Sequence, residues 1–308
     1  VTGASGFIGS VLTKQLLAHG VSVAVLARDE NLGRRLGNVE SQLTRIPYDS
    51  LDPSAFRKAL GEFRPDTIFH LGWAGVSNLD RNDVSTQVRN LDLCLELIDA
   101  GAASGCLHWI GAGSQAEYGP KPDAISEEDS THPTTLYGAA KLAAYHLSRT
   151  YCGLRNIKHS WLRVFSTYGP DDNENWMIPS LIRQLASGQV PKLTAGEQLW
   201  DYLHVSDAAR AFVAVAQHRA EGVFNLGSGE APSLRSTIEH IRDLVSPGAA
   251  LGFGQVPYRN DQVMRLQAVN SKLRQCTDWQ PMVSLNDGLQ ETVTWFTQKQ
   301  NHTLNVSA

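Results

Sequence analysis

Cysteine is scarce. The four in 308 residues, Cys94, Cys106, Cys152 and Cys276, fall at no spacing that a metal site or a disulfide framework uses, which excludes a disulfide-stapled secreted scaffold. Cys106 and His108 would share one face of a strand, but two ligands without others nearby do not make a metal site, so no metal is expected. Long hydrophobic runs are missing too: every apolar stretch falls well short of the ~20 residues that cross a bilayer, and no secretory leader is expected. Nor is one sign of charge in excess. Lys and Arg number 27 against 31 Asp and Glu, a formal charge of -4, which leaves no basic footprint for nucleic acid or an anionic membrane. These absences lead to the expectation of a cytoplasmic protein without nucleic-acid or membrane partners. The sequons Asn301-His302-Thr303 and Asn305-Val306-Ser307 carry no meaning in that setting.

What is present is a chain that is 42% hydrophobic, long enough for a large core, and organised from its first residues by glycine. Gly3, Gly6 and Gly9 precede a helix-period run through Leu12, Leu16 and Leu17, and Val21 to Leu26 reads as the strand after it. Three glycines at this spacing permit a tight turn, close approach of backbone N–H groups to a pyrophosphate, and close helix-on-strand packing. A strand is expected ahead of Gly3, which would place several residues before the present Val1. Together these predict a β-α-β dinucleotide site containing Gly3, Ser5, Gly6, Phe7, Ile8 and Gly9. A site specific for NAD usually ends its second strand with a carboxylate for the ribose 2'-hydroxyl. Here Ala27 and Arg28 stand there, so a guanidinium able to grip a 2'-phosphate favours NADP, with Arg34 and Arg35 as possible assistants and NAD as the alternative. Leu43 to Tyr48 reads as the next strand, and Asp49, followed by Ser50 and Leu51, is a candidate for the adenine end.

Strand-like and helix-like segments go on alternating. Thr67 to Leu71 is an apolar strand before Gly72, Val84 to Ala100 an amphipathic helix, and Leu107 to Ile110 the following strand, the order of a Rossmann-type doubly wound parallel sheet. Ligands in such sheets sit beyond the carboxyl ends of the strands, which is where Ser114 falls. Downstream, Tyr137 and Lys141 lie one helical turn apart, so both project from one face. An ammonium beside a phenol is expected to lower its pKa and make it a proton donor or acceptor for an alcohol or ketone. Tyr-x-x-x-Lys alone is common and equally describes an ordinary helix, as a serine in a glycine-rich loop equally describes a turn. Together, Ser114 is a candidate oxyanion donor beside Tyr137 and Lys141.

Thr2 to Gly9, His70-Leu71-Gly72, Asn90, Ser114 with Tyr118-Gly119, Tyr137-Gly138-Ala139-Ala140-Lys141, Leu162 to Phe165 running into Tyr168-Gly169-Pro170, Asp201 to Val205 and Phe224 to Gly227 resemble, in order, the extended short-chain dehydrogenase/reductase family. The resemblance spans nearly the whole chain and points to nucleotide-sugar epimerases, dehydratases and reductases. It implies that Tyr137 exchanges the proton, that Lys141 tunes it and binds the nicotinamide ribose, and that Ser114 holds the sugar oxygen. It further implies that Gly3, Gly6 and Gly9 line the pyrophosphate, Asp49 the adenine, and His70 to Gly72 the cofactor's flank, while Asn90 is structural.

Departures narrow the reaction. Sugar 4,6-dehydratases place Asp and Glu directly after the Ser114 position, and Gln115 and Ala116 cannot do that acid-base work. The family mostly has Asn at Ser166 and Arg at Trp200, so the substrate contacts are expected to differ, with Gln115, Ser166, Trp200 and Arg259 as candidates. These features are similar to a subgroup of nucleotide-sugar 4-keto reductases that includes CDP-abequose and CDP-paratose synthases. The implied reaction is NADPH-dependent reduction of a nucleoside-diphosphate 4-keto-6-deoxy sugar. The alternatives are an NAD-dependent nucleotide-sugar 4-epimerase and, from another class, a non-catalytic NADP-binding regulator. The expected organisation is a Rossmann domain over 1–165, with returns near 201–227, and a smaller interleaved α/β substrate lobe over 166–308. The helices over 84–100 and 137–151 are positioned as those that pair in homodimers of this family.

Overall fold

A computed structural model describes residues 1–27, 32–48, 53–77, 80–259 and 262–306. In chain order the main elements are α1 (Phe7–Ala18), β1 (Ala24–Ala27), β2 (Thr44–Pro47), α2 (Pro53–Phe63), β3 (Thr67–His70), α3 (Val84–Ala103), β4 (His108–Ser114), α4 (Leu136–Leu154), β5 (Lys158–Val164), β6 (Ser166–Tyr168) and α5 (Met177–Ala186). They continue with β7 (Leu199–Trp200), β8 (Tyr202–His204), α6 (Val205–His218), β9 (Gly222–Leu226), α7 (Leu234–Val245), β10 (Arg265–Leu266), α8 (Ser271–Cys276) and α9 (Leu285–Val306).

The main sheet runs β3-β4-β5-β9, all parallel, and β1 pairs in parallel with β2 beside it. Val1 and Thr2 join the two. The Val1 carbonyl accepts the Leu26 N–H at 3.0 Å, while the Thr2 N–H donates to Phe69 at 2.9 Å and Thr2 bridges His70 in parallel. Below Val1, β1 and β3 part around a cavity of about 410 Å³ lined by apolar side chains such as Val23, Ile46, Leu60 and Ile68. Both faces of the sheet are covered, as parallel strands require. Leu12 and Leu16 of α1 and Phe212 and Val215 of α6 pack with Ile110, Leu162 and Phe224 on one side. On the other, Leu97 and Ile98 of α3 and Cys152 of α4 pack with Ile68 and Trp109. Ile110 and Trp109 are neighbours on β4 that face opposite ways, which is the strand's period of two. The expected doubly wound α/β fold is therefore present.

Helix starts follow side-chain chemistry. Asp83 caps α3 by accepting the Thr86 N–H at 2.8 Å, Thr135 caps α4 by accepting that of Gly138 at 3.0 Å, and Ser233 caps α7 by accepting that of Ser236. Within the expected return near 201–227, only Tyr202–His204 of the segment 201–212 is extended, and it pairs with β6 rather than with the main sheet. From Val205 the chain is helical, because Ala208, Ala209, Phe212, Val213 and Val215 form a helical stripe that packs on α1. Beyond the main sheet, Ile178 and Leu181 of α5, Ile238 and Ile241 of α7, and Leu289 and Val293 of α9 enclose Tyr168 in a separate core. A smaller cluster of Tyr118, Ile125, Phe165, Leu266 and Ala268 lies between that core and the end of β4, with Trp200 and Val263 packed against it.

Candidate active site

Strand β4 is buried along its whole length, and its glycines explain how it fits. Gly111 and Gly113 lie opposite Trp161 and Arg163 of β5. A Cβ on Gly111 would come within 2.4 Å of the Trp161 ring, and one on Gly113 within 2.2 Å of its Nε1. The strand therefore ends on Ser114 with an indole laid across its last residues. Ser114 caps the short 3-10 turn Gln115–Glu117: its Oγ accepts the Ala116 N–H at 3.1 Å, and its own N–H donates to Glu117 Oε1 at 2.8 Å.

Helix α4 abuts that turn. A Cβ on Gly138 would lie 2.4 Å from the Ala116 carbonyl oxygen, so only glycine lets the start of α4 approach this closely. The approach brings Tyr137 beside Ser114, close enough for the serine hydroxyl to act on the phenol. Lys141, one turn on, is buried and donates from Nζ to the Ala112 carbonyl at 2.7 Å. Ser114, Tyr137 and Lys141 are thus brought together beyond the carboxyl end of β4.

The electrostatics differ from the sequence expectation in one respect. The sequence predicts that Lys141 lowers the Tyr137 pKa, but burial pushes the phenol up to about 12, with the Ser114 hydroxyl pulling the other way. The ammonium is turned toward Ala112 and sits 3.9 Å from the ring centroid of Trp73, against 5.9 Å from that of Tyr137. Burial lowers Lys141 itself to about 7, opposed by the negative charge of Glu117 and by Cys94. His70 is held neutral, lowered to about 3 by burial and then by Lys141. Thr2 Oγ1 accepts the Gly72 N–H at 2.9 Å and lies 2.9 Å from His70 Nδ1, which ties β3 to the glycine turn.

Trp73 was missed from the sequence, where nothing marks an aromatic in that loop as part of the site. Its indole N–H donates to Gln87 Oε1 at 2.9 Å, and its ring meets that of Tyr137 edge-on at 6.5 Å. The Asn90 side chain pairs with both backbone groups of Ala74, which fixes the same loop.

The glycine turn fits a dinucleotide. Gly3 has φ +67°, and its Cβ would meet the Gly72 nitrogen at 2.7 Å, while a Cβ on Gly9 would meet the Gly3 carbonyl oxygen at 2.1 Å. Gly6 caps the 12-residue α1 with no side-chain hydrogen bond, and the first turn holds no acidic residue. The leading N–H groups of Phe7, Ile8 and Gly9 therefore have no side-chain cap, and with the positive end of the helix dipole they are the chemistry a pyrophosphate requires. Ser5, in the turn, has its carbonyl bonded by Arg35 Nη1 at 3.2 Å. Arg35 and Arg34 also pair with Asp171 in the loop after β6. Leu71 donates to the Thr2 carbonyl and holds Gly72 against Gly3. Arg28, Asp49, Ser50 and Leu51 lie outside the described residues.

Of the substrate candidates, Trp200 and Ser166 are joined, Trp200 Nε1 donating to Ser166 Oγ at 2.7 Å. Gln115 is half-buried on the turn beside Ser114. Arg259 is exposed, in the loop that leads to Val263 and so toward Trp200.

A model of the NAD dependent epimerase/dehydratase family matches residues 1–227. The chain belongs to that family. As a member of the epimerase/dehydratase family it is an enzyme of the nucleotide-sugar oxidoreductase type. It is 30% identical over 315 residues to the dTDP-glucose 4,6-dehydratase of Streptomyces griseus, with 96% of this chain and 93% of that one covered. Over 309 residues it is 24% identical to the CDP-abequose synthase of Salmonella typhimurium, with 94% and 95% covered. Among solved structures, the UDP-glucose 4-epimerase of Thermus thermophilus in complex with NAD matches with a TM-score of 0.83 at 28% identity, covering 96% of this chain and 97% of that one. No helix among the described residues is long and apolar enough to cross a membrane.

Burial of Lys141 has a measurable consequence in this family member. Below about pH 7 the lysine is protonated in folded and unfolded chains alike and contributes no pH dependence. Between about 7 and 10.5 the unfolded chain holds a proton that the folded chain has lost, so stability rises with pH. Relative to Lys141→Met, the parent should gain about 1 kcal/mol of unfolding free energy per pH unit from about pH 7.5 to about 9.5 in urea denaturation. Parallel pH curves for the two proteins would contradict the burial described.

Proposed function

We propose that the enzyme reduces a nucleoside-diphosphate 4-keto-6-deoxy sugar with NADPH. The observation that carries this reading is the meeting of Ser114, Tyr137 and Lys141 at one strand end, with Gln115 and Ala116 where a dehydratase needs its acid-base pair. When bound, a reduced nicotinamide supplies hydride to the sugar's carbonyl carbon. The chain's residues deal with the oxygen. Tyr137, its phenol pushed up to about 12, stays protonated at neutral pH and is a better acid than the alcohol it would form, so it gives its proton to the developing alkoxide. Ser114 donates a hydrogen bond to the same oxygen from a hydroxyl whose lone pair is already engaged by the Ala116 N–H. Lys141 would hold the nicotinamide ribose.

Gly3, Ser5, Gly6, Phe7, Ile8 and Gly9, with Leu71 and Gly72, would hold the cofactor. The choice of NADP rests on Arg28 and on Arg35, whose guanidinium already borders the glycine turn at Ser5. Gln115, Ser166, Trp200 and Arg259 are proposed to face the substrate, with the elements after Phe165 forming most of its lobe. A second reading, an NAD-retaining 4-epimerase, is favoured by the likeness to the Thermus enzyme complexed with NAD. It requires no net cofactor oxidation. A homodimer through α3 and α4 is supported by Val84, Val88 and Leu147, large apolar side chains exposed on those helices. A monomer by sedimentation velocity at micromolar concentration would remove that part of the proposal.

The test is a panel of CDP-, dTDP-, GDP- and UDP-linked 4-keto sugars with NADPH, followed by cofactor oxidation. One member should be reduced with one NADPH consumed per sugar. Tyr137→Phe should bind NADPH as the parent does and lose about 10²- to 10⁴-fold in turnover. Parental turnover in that variant would refute Tyr137 as the proton donor.

A further inference from the structure

The carboxylate of Glu117 is wholly buried, and a large part of its surroundings is committed to keeping it there. Oε1 accepts the Ser114 N–H at 2.8 Å and the Trp161 indole N–H at 2.9 Å, and Oε2 accepts Arg163 Nε at 2.7 Å. Arg163 is in turn stacked 4.4 Å from the ring centroid of Tyr118. A Cβ on Gly113 would lie 2.6 Å from Glu117 Oε1, so the strand gives up a side chain to admit it. Removing such a pair from water is costly, and an apolar trio of the same volume is often as stable or more so. Packing alone therefore does not account for a carboxylate at this position.

We propose that Glu117 is a positioning residue of the reaction: clamped by Trp161 and Arg163, it fixes Ser114 against Tyr137 and supplies the counter-charge for Lys141. This rests on the roles assigned above to those three residues. Through the Ser114 N–H, Glu117 sets the backbone from which the serine hydroxyl projects. Its carboxylate lies against Gly113 and Ser114, while the Lys141 amine lies on the carbonyl of the preceding Ala112. The groups facing Lys141 are His70 from β3, Cys94 from α3, Tyr137 from its own helix, the Trp73 ring, the Ala112 carbonyl and Glu117. His70 is neutral, and burial pushes the Cys94 thiol and the Tyr137 phenol up to about 12, so of these six only Glu117 brings negative charge at neutral pH.

Lysine-selective ¹⁵N NMR on the ligand-free protein, with Lys141→Arg to assign the signal, reads the counter-charge without any turnover. The Lys141 midpoint should fall by about one pH unit or more in Glu117→Gln. Trp161→Phe keeps the carboxylate but loosens its clamp. It should leave the midpoint in place and cut kcat about ten-fold with KM for both substrates unchanged. An unchanged midpoint in Glu117→Gln overturns the counter-charge, and an unchanged kcat in Trp161→Phe overturns the positioning, an arm that stands even where Glu117→Gln does not fold. Full turnover in Tyr137→Phe would instead overturn the proposed function and leave the Lys141 midpoints to report on Glu117.

Discussion

The bonds that Ser114, Trp161 and Arg163 make to one buried carboxylate constrain everything at the end of β4, because each donor belongs to an element that must then sit at a set distance from the others. Trp161 and Arg163 are two residues apart on β5 and so point to the same side of the sheet, toward Glu117. For the indole to reach it, β4 must carry glycine at 111 and 113. For α4 to bring Tyr137 to Ser114, it must carry glycine at 138. Three positions that look like loose punctuation in a sequence are thus close contacts, and the site is built on the sheet rather than on a loop.

Opposed electrostatic effects meet in this small volume. Burial disfavours charge on both Tyr137 and Lys141, raising one and lowering the other, so the two drift toward a neutral pair unless something negative lies near the lysine. Glu117 answers that need at one remove, its carboxylate bonded to Ser114, Trp161 and Arg163 while the Lys141 amine donates to Ala112. Lys141 is instead held by the Ala112 carbonyl and the Trp73 face. Trp73 itself is fixed by Gln87, and its loop by Asn90, so α3 reaches into the site through two side-chain amides.

Local signals in the sequence carried most of the fold. The glycine triplet, the alternation of apolar strands and amphipathic helices, and the one-turn spacing of Tyr137 and Lys141 all have periods that can be counted along the chain. Glu117 was within reach as well, since Ser114-Gln115-Ala116-Glu117 has the pattern of a capping box. Its partners Trp161 and Arg163 lie more than forty residues away, and no local rule links them. The segment from Val205 differs for another reason: it follows directly on a short extended stretch, Tyr202–His204, and its helical period, Val205, Ala208, Ala209 and Phe212, rests on two small alanines. Trp73 is legible only in three dimensions, because a loop aromatic has no periodicity to betray the face it covers.

In the proposed reaction, hydride and proton are delivered to one carbonyl and stay there. Turnover with NADPH deuterated at the transferring C4 position tests this most directly, by mass and NMR analysis of the sugar. Deuterium fixed at C4 of the product, one atom for each cofactor oxidised, is the result that agrees. Inversion at C4 of the corresponding 4-hydroxy nucleotide sugar, with no deuterium gained and no NADPH consumed, and no reduction of the 4-keto sugar would contradict it and establish the epimerase in its place.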